Sequence, residues 1–70
     1  MRVITVLTVK ETCKILAEHG FEIYPEHLRA GIDCGAYPFG VAVKMESRNV
    51  YEIFKPLLFR WIEERSEERN

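Results

Sequence analysis

Seventy residues, 47% of them hydrophobic and 30% charged, with ten Lys and Arg against eleven Asp and Glu, set the bounds. A chain of this length forms one domain and removes only about 60% of its unfolded surface from water, so its stability is modest. The composition is too apolar for a disordered tail and too broken by charge for a membrane span, and a net charge of −1 supplies no overall basic excess for a polyanion.

Val3 to Leu7 is apolar and β-branched, the composition of a short strand, and too short an apolar run before Lys10 for a secretory signal. The cytoplasm is the expected compartment. Thr8 and Glu11 have the spacing of a capping box, which starts a first helix at Val9. Val9, Cys13, Leu16 and Ala17 recur at helical spacing as one buried stripe, while Lys10, Lys14 and Glu18 face water. Gly20 ends that helix, since glycine takes the left-handed conformation at little cost. Phe21 and Ile23 are expected to fill the corner before Pro25, whose missing N–H is harmless at a first helical position. A second helix runs from Pro25 to about Cys34 and buries Leu28 and Ile32, with Gly31 admitting helix one closely and Gly35 as the stop. Its outward face carries Glu26, Arg29, Ala30 and Asp33.

Pro38-Phe39-Gly40 turns the chain into Val41 to Met45, a strand by composition. Glu46-Ser47-Arg48-Asn49 is a polar tip, and Val50 to Ile53 is the returning strand. A third helix opens near Lys55-Pro56 and buries Leu57, Leu58, Trp61 and Ile62. Phe59 lies off that stripe; it is either covered by the N-terminal strand, the favoured reading, or left as a contact for another protein. Acidic residues from Glu63 onward oppose the negative end of the helix dipole, so a domain of residues 1–65 is expected to end in a frayed charged tail, 66–70. The order is strand, helix, turn, helix, hairpin, helix: an α+β chain, mostly α with a small β-hairpin.

Chemistry finds no foothold in this sequence. Cys13, Cys34, His19 and His27 lack the tight pairs, usually about two to four residues apart, that zinc sites draw on, so no metal and no cofactor is expected. Cys13 reads as a small core residue. No nucleophile stands beside a base, and Glu26 and Asp33 are too isolated for an acid–base pair, so an enzyme is not expected.

Three blocks carry a resemblance that covers nearly the whole chain. They are Leu7-Thr8-Val9-Lys10-Glu11-Thr12-Cys13-Lys14-Ile15-Leu16, then Leu28-Arg29 through Gly35 followed by Pro38, then Tyr51-Glu52-Ile53 with Leu58 and Trp61-Ile62. In this order and spacing the chain resembles the excisionase-like branch of the MerR-type winged helix-turn-helix proteins, small DNA binders carried by phages and integrative elements. It is most similar to the phage-associated subset in which Pro-Phe-Gly introduces the wing. The connection from Ala17 to Tyr24 is longer than the family's common turn, and Tyr24 stands where a Ser or Thr usually caps helix two.

The resemblance implies a winged helix-turn-helix fold with helix two in the major groove and the hairpin on the adjacent backbone. Arg29 is then the main base-contacting residue, with Glu26, Ala30 and Asp33 beside it, because Arg reads O6 and N7 of guanine through two hydrogen bonds. Lys10, Lys14, Lys44, Ser47 and Arg48 contact the DNA backbone and set register and affinity. The implied partners are double-stranded DNA, an integrase or recombinase, and a second copy of the chain; a membrane is not expected. The implied role is a recombination directionality factor or a transcriptional regulator of a mobile element. The alternative is a protein-interaction module on the same fold, supported by the neutral charge and by Phe59. Arg29, Lys44 and Arg48 on one surface without carboxylates would favour DNA; interleaving with Glu26, Asp33 and Glu46 would favour a protein partner.

Overall fold

A computed structural model describes residues 4–66. In chain order the elements are β1 (Val6–Leu7), α1 (Val9–Glu18), α2 (Pro25–Asp33), β2 (Gly40–Lys44), β3 (Asn49–Phe54) and α3 (Lys55–Arg65). The strands form one antiparallel sheet in the order β1-β3-β2. The small hairpin expected from the sequence is thus widened by the N-terminal strand, which pairs Val6 with Phe54 and Leu7 with Ile53. That strand is shorter than the run from Val3 to Leu7 suggested; Ile4 and Thr5 are not part of it, and Val3 lies outside the described residues.

α1 begins where its cap dictates. The Thr8 side chain accepts from the Glu11 N–H at 3.1 Å, and the Glu11 carboxylate accepts from the Thr8 N–H at 2.9 Å. Its buried residues are Thr12 and Leu16, with Val9, Cys13 and Ile15 packed partly against the core. Ala17 is exposed, contrary to the expected stripe. Thr12 is buried without penalty because its hydroxyl donates to the Thr8 carbonyl at 2.8 Å, which satisfies its polar group inside the helix. Gly20 follows the helix at φ +89° and Gly35 follows α2 at φ +81°, both in the left-handed region.

The core is built from all layers: Leu7, Leu16, Ile23, Leu28, Ile32, Phe39, Ile53, Leu58 and Ile62. α3 contributes Leu58 and Ile62, while Leu57, expected inside, is 42% exposed. Trp61 is half-buried at the centre of an aromatic group, 5.2 Å from Phe39, 5.8 Å from Tyr37 and 5.7 Å from Phe21 between ring centroids. The Arg65 guanidinium lies 4.5 Å from the Trp61 ring. α3 ends with the Ser66 hydroxyl donating to the Ile62 carbonyl at 2.6 Å. Of the expected charged tail, residues 67–70 lie outside the described residues.

The register fixes what each side of the sheet presents. β2 and β3 pair Gly40 with Ile53, Val41 with Glu52, Ala42 with Tyr51, Val43 with Val50 and Lys44 with Asn49. Side chains alternate across a strand, so Leu7, Ile53, Tyr51 and Ala42 share the face toward the helices. Val6, Val41, Val43, Val50, Glu52 and Phe54 share the other face. β2 is an edge strand: Phe54 N–H donates to Phe39 carbonyl and Met45 N–H to Arg48 carbonyl. By alternation, the backbone groups of Gly40, Ala42 and Lys44 therefore point away from β3.

Candidate nucleic-acid interface

α2 turns Leu28, Gly31 and Ile32 into the core. The helical period then sends Glu26, Arg29, Ala30 and Asp33 outward, and all four are exposed as expected. Arg29 stands at the edge of this face nearest α1. Burial pushes the Cys13 thiol up from its ordinary range, and the nearby Arg29 charge offsets part of that rise. On α1 the exposed Lys10 and Lys14 stand three residues before and one after Cys13. Lys10 and Lys14 on α1 and Arg29 on α2 are thus exposed cations on two helices that pack together, with Arg29 close enough to Cys13 to act on its thiol. Among the described residues the ion pair is Arg65 with Glu64, so none of these three cations is held by a carboxylate.

The rest of the expected site is divided. The Tyr51 hydroxyl of β3 donates to Asp33 Oδ2 at 2.9 Å, which ties the C-terminal end of α2 to the sheet and gives that carboxylate a partner. Asp33 remains exposed while it accepts this bond. Lys44 and Asn49 share with Asp33 an open cleft between α2 and β2. Arg48, by strand alternation, continues the row of Val50 and Glu52 on the sheet's other side. Arg29, Lys44 and Arg48 do not form one carboxylate-free surface. Ser47 is exposed at the hairpin tip beside the exposed Glu46. Glu26 stays in the first turn of α2, where the helix dipole favours a negative charge.

Phe59 is 38% exposed. Its ring meets His19 edge-on at 6.0 Å, and the Lys55 ammonium lies 5.9 Å from it. His27 is turned toward Tyr37, its Nε2 3.4 Å from the phenolic oxygen. Cys13 is half-buried rather than fully in the core, and Cys34 is exposed. Among the described residues no three His, Cys, Asp or Glu side chains come together to hold a metal, and no helix is long and apolar enough to cross a membrane.

Sequence reasoning missed Tyr51 as the residue that holds Asp33, because nothing local links positions 18 apart. It also missed that the sheet face away from the helices is apolar. The alternation of Val41, Val43 and Val50 with core-facing neighbours carried that signal. Comparison with protein-family models, curated proteins and solved structures returned no match to this chain.

Proposed function

We propose that the protein is a small double-stranded DNA binder of the excisionase-like winged helix-turn-helix kind, with α2 in the major groove and the β2–β3 hairpin as the wing. The observation that carries this reading is the set of exposed cations on the two packed helices, Lys10 and Lys14 on α1 and Arg29 on α2, unpaired among the described residues. Arg29 makes the base contact, with Ala30 and Glu26 beside it at the groove floor. Lys10 and Lys14 hold the phosphates on one side of the groove, and Lys44 and Ser47 those reached by the wing. A surface this small spans about one half-site, so the protein acts beside other copies or a recombinase, as a directionality factor or a regulator of a mobile element.

The second reading is a protein-interaction module. The cleft that Lys44 shares with Asp33 supports it, since a mixed-charge surface suits a protein better than a polyanion.

Fluorescence anisotropy with labelled duplexes, random and from the protein's own genomic neighbourhood, at low and near-physiological salt, tests the proposal. Saturable binding that weakens steeply with salt is expected. Arg29→Ala should remove the preference for the neighbourhood duplex, whereas Lys10→Ala and Lys14→Ala should weaken both duplexes alike and flatten the salt slope. Absence of binding at low salt would reject the DNA reading in favour of the protein module.

A further inference from the structure

An antiparallel sheet with one face on the core ordinarily shows polar side chains on the other. This sheet does not. Its outer face presents Val6 and Val41, each 45% exposed, and Val43, 39% exposed, with Val50 and Phe54 half-buried between them. Met45, 57% exposed, extends the β2 row toward the tip. Val50 and Phe54 are not among the partly buried side chains packed against the core; each has a valine as its cross-strand partner, Val43 for Val50 and Val6 for Phe54. Among the described residues the charge within the paired part of this face is Glu52; Arg48 lies one residue before β3, its carbonyl accepting from the Met45 N–H, and the alternation of the strand extends the row of Val50 to it.

We infer that this sheet face joins two copies of the chain, packed face to face about a two-fold axis that crosses the strands at the Val43–Val50 row. The charge pattern selects both the second copy and the row. Such an axis lays β3 antiparallel on its twin and pairs each residue with the one equally far beyond Val50. Glu52 then meets Arg48 of the other copy, and Arg48 meets Glu52, while Val41 meets Met45. An axis one row further, at Val41–Glu52, would set two carboxylates against each other. A surface that is apolar at its centre and self-complementary in its two charges fits its own copy.

The patch is of the order of 400 Å² per copy, the size of the largest apolar patch on a typical monomer, which is often functional. Two copies together bury roughly 800 Å², less than the ~1,200 Å² of a durable complex, so the dimer is weak and forms with rising concentration. The inference does not rest on DNA binding, and its test contains no DNA. Arg48 is engaged in this dimer rather than on phosphate; Lys44 lies on the other side of the sheet and is unaffected.

Sedimentation equilibrium of the full chain, from about ten micromolar to about one millimolar, should show a monomer–dimer equilibrium obeying mass action. Val43→Lys brings two ammonium groups together at the axis and should leave a monomer throughout, with an unchanged far-ultraviolet circular dichroism spectrum because position 43 is on the surface. Glu52→Arg alone and Arg48→Glu alone should each weaken the dimer about tenfold by opposing like charges, and the double exchange should restore it. A wild-type chain that stays monomeric overturns the inference. So does a dimer indifferent to Val43→Lys, which would place the contact elsewhere, such as the open edge of β2. A double exchange no better than either single exchange overturns the two-fold register.

Discussion

The ring of Tyr37 lies directly on Gly31: a Cβ at position 31 would stand 2.2 Å from the Tyr37 Cε2. Gly31 is therefore small for the sake of an aromatic ring that follows its own helix, not for the approach of α1 that its place in the sequence suggested. The ring has no easy escape, since it is stacked on Phe39 at 5.4 Å and set edge-on to Trp61 at 5.8 Å.

Gly31→Ala should accordingly destabilise the protein. The better helix propensity of alanine contributes about 1 kcal/mol in favour, while overpacking costs about 1–3 kcal/mol. Urea denaturation should show a net loss for Gly31→Ala alone. In a Tyr37→Ala background the same change should become neutral or favourable, because the obstructing ring is gone.

The α1 cap makes stability depend on pH. Hydrogen bonds from the Thr8 backbone and side chain hold the Glu11 carboxyl below its ordinary 4.5. A lowered folded pKa means that the stabilisation is complete above the unfolded value and is lost as pH falls through the folded one. Thermal denaturation of the wild type should therefore fall off below about pH 4.5 more steeply than that of Glu11→Gln. Thr8→Ala should cost about 1 kcal/mol at neutral pH and reduce the pH-dependent component without removing it, because the N–H at position 8 still donates to the Glu11 carboxylate.

Trp61 keeps its indole N–H buried without a partner among the described residues. Its ring, packed on Phe39, Tyr37, Phe21 and Arg65, is what the fold uses. Trp61→Phe removes the orphaned donor and retains an aromatic surface, so it should cost less than about 1 kcal/mol. Trp61→Ala should cost about 3–5 kcal/mol. Chemical denaturation of the two variants separates the ring's contribution from that of its nitrogen.

The two thiols should differ in reactivity. Cys34 is exposed, whereas Cys13 is half-buried with its thiol pKa raised by burial. Alkylation at neutral pH should modify Cys34 first. On a Cys34→Ser background, Arg29→Ala should slow alkylation of Cys13 further, since the positive charge that favours its thiolate is lost. An unchanged rate would show that Arg29 does not lean toward α1, and the set of cations assigned to DNA would lose its central member.

Much of the architecture was legible before any coordinates. The Thr8–Glu11 spacing marked the start of α1, Pro25 the start of α2, and Gly20 and Gly35 the exits, all of them features of a few adjacent residues. Leu16, Leu28, Ile32, Leu58 and Ile62 followed from helical period alone. Exposure of Glu26, Arg29, Ala30 and Asp33 followed from the same period.

What the sequence determined by itself was each element and its inward side, because capping, turn chemistry and amphipathic period act over a few residues. Only the tertiary structure decided which residues meet across the chain. It set Tyr37 on Gly31, tied Tyr51 to Asp33, exposed Leu57 and Ala17, and added β1 to the hairpin. It also decided that Arg29 of α2 stands near Cys13 of α1, and that Val6, Val41 and Val43 are left exposed on one face of the sheet. These depend on register and helix docking, where a shift of one strand residue reverses every side chain, and no local pattern carries that information.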